Sequence, residues 1–206
     1  FVTGTDTGIG KTIVSAILAE AFEADYWKPV QAGYADGTDS ETVRELITNA
    51  KTVIHPETYK LKLAASPHLA APQEGISIDV DKIVKDGPAT DNRLIIEGAG
   101  GLMVPLNEKE FVSDLILKLG AQVVLVSRNT LGSINHSLLT ALACKQAGIP
   151  VLGWIFNHRY MDYEDDIVKW TGLPKLASVP YSEDNGKEFI LHQAGVIRGL
   201  SENWPC

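Results

Sequence analysis

The 206 residues, 45% apolar and 21% charged, suit one globular domain, since single cores stop growing at about 250–300 residues. Twenty-six acids against 18 lysines and arginines leave a net charge of −8. That balance argues against nucleic-acid binding and means that an anionic ligand must be held by local donors. No apolar run reaches the roughly 18 residues of a membrane span, and two cysteines, Cys144 and Cys206, make no disulfide framework and suit a reducing cytoplasm.

The chain opens inside a strand-like segment, Phe1-Val2-Thr3, so residues are expected ahead of it. Gly4-Thr5-Asp6-Thr7-Gly8-Ile9-Gly10-Lys11-Thr12 follows, and Thr12 to Phe22 has helical periodicity. A strand, a glycine-rich turn and Lys-Thr opening a helix make a phosphate loop. Glycines let backbone N–H groups close around phosphate oxygens, and the helix N-terminus adds about half a positive charge. Gly8, Ile9, Gly10, Lys11, Thr12 and Ile13 are therefore expected to hold ATP. Lys11 is expected at the β- and γ-phosphates and the Thr12 hydroxyl on Mg²⁺. The usual pattern puts a glycine five residues before Gly10; here Thr5 stands there and the glycine is Gly4.

Tyr26 to Val30 reads as a strand closed by Pro29, with Lys28 either in the site or solvated at a strand end. Ser40 to Asn49 is a helix candidate with Asp39 placed as its N-cap, and residues 51–78 read as irregular. Asp79 to Lys85 suggests a short helix. Arg93 to Glu97 is an apolar strand that delivers a carboxylate at its end, followed by Gly98-Ala99-Gly100-Gly101. Mg²⁺ takes one or two carboxylates plus phosphates, so Glu97 and Asp39 are candidate ligands beside Thr12. Phe111 to Leu119 is a helix stopped by Gly120, Gln122 to Val126 a buried strand, and Ser133 to Ala147 a helix ended by Gly148. Val151 to Phe156 is a strand followed by Asn157, whose amide matches the N6 donor and N7 acceptor of adenine; a loop-initiating Asn is the plainer alternative. Asn157-His158-Arg159-Tyr160 lacks the last Asp of a guanine reader, which favours ATP over GTP. Asp162 to Thr171, Leu176 to Val179 and Lys187 to Leu200 complete the pattern as helix, strand and helix.

Near-continuous Val/Ile/Leu strands alternating with helices imply an α/β fold with a mostly parallel sheet flanked by helices on both faces. Ligands of such sheets sit at the carboxyl ends of the strands. The phosphate loop, Lys28, Glu97 and Asn157 all fall there.

Together these residues resemble the dethiobiotin synthetase family, of three-layer P-loop NTPase fold. The resemblance rests on Val2-Thr3-Gly4-Thr5-Asp6-Thr7 with Gly10-Lys11-Thr12, Trp27-Lys28-Pro29-Val30-Gln31-Ala32-Gly33, Thr38-Asp39-Ser40 and Ser66-Pro67-His68. It continues in Ile96-Glu97-Gly98-Ala99-Gly100-Gly101, Leu131-Gly132-Ser133-Ile134-Asn135-His136 and Gly153-Trp154-Ile155-Phe156-Asn157. The displaced glycine is a mark of that family. The resemblance implies that Lys28, Lys11 and Thr7 act on the transferring phosphoryl group and that Thr12, Asp39 and Glu97 organise Mg²⁺. It puts Gly98, Ala99 and Gly100 beside ATP, and Asn157, His158, Pro180, Tyr181 and Ser182 around adenine. Ala32 and Lys28 would contact 7,8-diaminononanoate, and Gly132, Ser133 and Asn135 would bind its distal carboxylate across a homodimer interface. CO₂ is the third substrate. Ala32 stands where a serine is common and Gly8 where an acid occurs, each losing a hydrogen bond typically worth about 0.5–1.5 kcal/mol. A ParA/MinD-like ATPase would carry an extra lysine where Asp6 stands. A cobyrinate-type synthetase would need a glutaminase domain, and a small-molecule kinase would release a phosphorylated product.

Overall fold

The computed structural model describes residues 1–158, 161, 163–202 and 204. Asp162, expected to open a helix, lies outside them, as do Arg159, Tyr160 and Cys206. In chain order the strands are β1 (Val2–Gly4), β2 (Asp25–Trp27), β3 (Val30–Ala32), β4 (Ile54–His55), β5 (Tyr59–Leu61), β6 (Leu94–Ile96), β7 (Val123–Arg128), β8 (Val151–Asn157) and β9 (Lys175–Val179). The helices are α1 (Lys11–Phe22), α2 (Asp39–Leu46), α3 (Pro67–Gln73), α4 (Val80–Lys85), α5 (Val112–Leu119), α6 (Ser133–Ala147), α7 (Glu164–Thr171) and α8 (Lys187–Ser201).

All strand pairs are parallel. One ladder runs β4-β2-β6 and another β1-β7-β8-β9. A parallel bridge between Val2 and Glu97 joins them, with Gly98 N–H donating to the Val2 carbonyl at 2.9 Å. The combined order is β4-β2-β6-β1-β7-β8-β9. Parallel neighbours require crossovers, and helices supply them on both faces. Successive side chains alternate faces. Val2, Val124, Val126 and Ile155 pack with Ile17 and Ile190 on one side. Leu125, Trp154 and Phe156 pack with Leu115, Cys144 and Ile167 on the other. This two-sided burial is why β7 reads as an unbroken apolar run.

Four expectations are corrected. Pro29 has no N–H, so the strand ends at Trp27 and a second one starts at Val30; β3 then pairs with β5. Residues 51–78, expected to be irregular, hold β4, β5 and α3. Strands of two or three residues are too short to show a period of two. Pro67 is no breaker because it occupies the first turn of α3, where a missing N–H costs nothing. Asp39 is not a cap: Thr38 is the N-cap of α2. The Thr38 hydroxyl accepts from Glu41 N–H at 3.1 Å, and the Glu41 carboxylate accepts from Thr38 N–H at 2.7 Å. The helix stops at Leu46, short of the expected Asn49, because the buried Glu20 carboxylate draws in the backbone and side chains of Thr48 and Asn49.

Candidate active site

The loop between β1 and α1 is shaped by close packing beneath it. A Cβ on Gly4 would lie 2.1 Å from the Val126 carbonyl oxygen, so the end of β1 presses on β7 and only glycine fits. This is the physical reason for the displaced glycine. Gly8 and Gly10 adopt φ of 71° and 91°, the left-handed region that favours glycine. Gly10 caps α1, and Lys11 and Thr12 open the helix.

Four side chains meet beside this loop: Thr12 of α1, Asp39 of α2, Lys28 just after β2 and Glu97 just after β6. The Thr12 hydroxyl lies 2.9 Å from Asp39 Oδ1 and 3.0 Å from Glu97 Oε1. Lys28 Nζ lies 2.5 Å from Asp39 Oδ2 and 3.0 Å from Glu97 Oε1. Capping by Thr38 frees the Asp39 carboxylate for this cluster, and its backbone N–H is held by Gln31 Oε1 at 3.1 Å. Lys11 Nζ donates to the Asp6 carbonyl at 2.8 Å. Thr7, Gly8, Gly10, Lys11, Thr12, Ile13, Lys28, Ala32, Asp39, Glu97, Ala99 and Gly100 line one cavity of about 630 Å³.

Electrostatics follow from burial. Burial opposes the Lys28 charge, but the Glu97 and Asp39 carboxylates outweigh it and hold the ammonium above its ordinary range. Burial likewise opposes the Asp39 charge, and Lys28 overcomes it and lowers the carboxyl. Lys11 behaves oppositely: burial lowers it to about 8, with Glu97 only partly restoring it. Buried carboxylates are costly unless paired, and here the partners are the Lys28 ammonium and the Thr12 and Tyr26 hydroxyls. Two carboxylates and a hydroxyl offer the hard oxygen donors that suit Mg²⁺. No cluster of three or more His, Cys, Asp or Glu forms among the described residues.

The sequence reading missed two contributors. Tyr26 OH donates to Glu97 Oε2 at 2.9 Å, and Gln31 positions Asp39 as above. Tyr26 precedes Lys28 by two residues, the same-face spacing of a strand, and that signal was legible. Gly98 and Ile9 do not line the cavity; Gly98 packs against Phe1 and Ile9 is buried under the loop. Asn157 is buried, and its Nδ2 donates to the Ile9 carbonyl at 2.8 Å. His158 and Pro180 line a second cavity of about 550 Å³ with Glu164 and Lys175, and the His158 and Tyr181 rings meet edge to face at 4.9 Å. Ser182 follows on the same exposed segment. Gly132, Ser133 and Asn135 line neither cavity; they begin α6, where Ser133 is buried.

A family profile described as an AAA domain matches residues 1–188. An ATP-dependent dethiobiotin synthetase from Cytophaga hutchinsonii is 48% identical over 205 residues, 99% of this chain and 97% of the relative. Another from Christiangramia forsetii is 50% identical over 193 residues, 94% and 92% of the two chains. Among solved structures, the septum site-determining protein MinD complexed with Mg-ADP from Pyrococcus horikoshii superposes with a TM-score of 0.59 at 16% identity. The match covers 97% of this chain and 95% of that one. A ParA family ATPase from Chlorobium tepidum gives 0.58 at 14% identity, covering 98% and 91%. These structural likenesses establish the P-loop fold alone.

Proposed function

The chain belongs to the ATP-dependent dethiobiotin synthetase family, and from that premise we propose how its residues carry out the reaction. It is an ATP-dependent ligase of biotin biosynthesis that forms dethiobiotin from 7,8-diaminononanoate (7,8-diaminopelargonate) and CO₂. One amine nitrogen bonds to the CO₂ carbon and loses a proton, giving a carbamate. A carbamate oxygen attacks the γ-phosphorus of ATP and ADP leaves. The second amine attacks the carbonyl carbon of the resulting mixed anhydride, the C–O bond to phosphate breaks, and the ureido ring closes with loss of a proton. An unactivated carbamate oxygen is a poor leaving group, which is why ATP is consumed.

The convergence of Thr12, Lys28, Asp39 and Glu97 on the phosphate loop carries this reading. Lys11 and Lys28 neutralise charge on the transferring phosphoryl group, and Thr7 and Ala32 share the cavity with them. Thr12, Asp39 and Glu97 would hold Mg²⁺, which when bound screens phosphate charge. Positioning and charge stabilisation suffice because the covalent changes belong to the substrates. Asn157 retains one N–H and Oδ1 for adenine, with His158, Pro180, Tyr181 and Ser182 alongside.

We further read the active form as a homodimer. Leu131, Leu139, Leu142 and Met103 expose large apolar side chains on and around α6, with Met103 and Leu139 lining one shallow cavity. A partner seated there would bring Gly132, Ser133 and Asn135 of one chain toward the cavity of the other. We place the enzyme in the cytoplasm, which suits the unpaired Cys144. Incubation with diaminononanoate, ¹⁸O-labelled bicarbonate and Mg-ATP tests the chemistry. Dethiobiotin of the right mass and one ¹⁸O per released phosphate are expected. A phosphorylated diamine without a ring, or unlabelled phosphate, contradicts it.

A further inference from the structure

Asn157 ends β8, which lies between β7 and the edge strand β9, and it pairs with Arg128 of β7 and Val179 of β9. Its carbonyl accepts from Asn129 N–H at 3.0 Å, and the next residue's N–H donates to the Val179 carbonyl at 3.0 Å. The backbone is therefore fixed on both sides. Its side chain crosses to the phosphate loop, 148 residues earlier, and donates to the Ile9 carbonyl in a buried bond of 2.8 Å. The amide lies directly on the loop: a Cβ on Gly10 would come 1.7 Å from Asn157 Nδ2.

The Ile9–Gly10 peptide is trans, since the described chain has no cis bonds. In a trans peptide the C=O and the following N–H point in opposite directions. Holding the Ile9 carbonyl against Asn157 therefore turns Gly10 N–H the other way, toward the cavity that Gly10 and Lys11 line. Gly10 at φ 91° has neighbouring conformations open to it, and this bond selects among them. Without it the buried carbonyl loses a partner, and rotating the peptide to find another turns the N–H away from the phosphates.

We propose that Asn157 is a positioning residue for the phosphate loop: its amide sets the Ile9–Gly10 peptide so that Gly10 N–H faces the phosphates, whatever base is bound. The inference rests on the ATP-binding reading of the loop. It separates the role of Asn157 in phosphate binding from any contact with adenine.

The probe is Mg-tripolyphosphate, which has phosphates and no base, titrated into the full chain beside adenosine, which has a base and no phosphates. Asn157→Ala and the similarly sized Asn157→Leu are expected to weaken tripolyphosphate by about tenfold, the factor of one lost hydrogen bond, with the melting transition retained. Unchanged tripolyphosphate affinity together with weakened adenosine binding overturns the inference and leaves the nucleotide site standing. Failure of the unaltered protein to bind tripolyphosphate overturns the nucleotide reading itself. Should both variants fail to fold, the Asn157 carboxamide protons of the unaltered protein decide by NMR. One slowly exchanging, strongly shifted proton of the pair is expected, and two rapidly exchanging protons at solvent positions contradict the bond.

Discussion

Lys28 is a buried cation whose two partners are both carboxylates. On the proposed mechanism Lys28→Ala removes a cation that faces the transferring group, and turnover is expected to fall by about 10²–10³. It also leaves the buried Glu97 carboxylate without its cation, and removing one partner of a buried pair costs about 3–5 kcal/mol. Urea unfolding without divalent cations should show that loss, and added Mg²⁺ should recover part of it; a variant as active as the unaltered chain removes Lys28 from the mechanism. Lys11 predicts a pH effect. Burial lowers it to about 8 in the free site, so its charge is present below that pH and lost above it. Phosphates need the charged form. The apparent KM for ATP should be flat up to pH 8 and then rise by up to about tenfold per pH unit, as steady-state kinetics would show. Lys11 and Lys28 were legible from motif and strand position. The Asn157–Ile9 bond was not, because it links residues 148 apart and no local pattern encodes it.

At the level of the element, β2 leads into Lys28 at one end and carries stability at the other. Its first residue, Asp25, is buried and accepts from Thr90 Oγ1, Val53 N–H and Asn92 Nδ2, with His55 Nε2 at 3.1 Å. Burial raises its carboxyl, but the Thr90, Val53, His55 and Asn92 bonds outweigh that and lower it to about 2. A carboxyl depressed in the folded state stabilises fully above its ordinary pKa of about 4 and loses that contribution as the pH falls toward 2. Asp25→Asn is expected to cost about 1–3 kcal/mol at neutral pH and to flatten the acid limb of the stability curve, as urea titrations at pH 7, 4 and 2.5 would reveal. Retention of the steep limb would rule Asp25 out as its cause. Among the long elements, α6 was legible from the Gly148 that ends it and β8 from its apolar run. Strands β4 and β5 were not, since two or three residues beside prolines carry no period, and their pairing with β2 and β3 is a tertiary choice.

At the level of the molecule, the parallel sheet gathers loop, acids and lysines at one edge, and the apolar residues of α6 look outward. Leu139→Asp with Leu142→Asp places charge on that face without touching the cavity residues. Sedimentation is expected to move from dimer to monomer with loss of turnover; a fully active monomer contradicts the shared site. The fold is shared with MinD and ParA proteins, so the chemistry is carried by the side chains at the sheet edge and not by the topology. The most direct measurement is a crystal structure with Mg²⁺ and a non-hydrolysable ATP analogue. The terminal phosphate is expected between Lys11 and Lys28, with the metal against Thr12, Asp39 and Glu97. A nucleotide bound elsewhere, or those side chains turned from its terminal phosphate, would contradict the account.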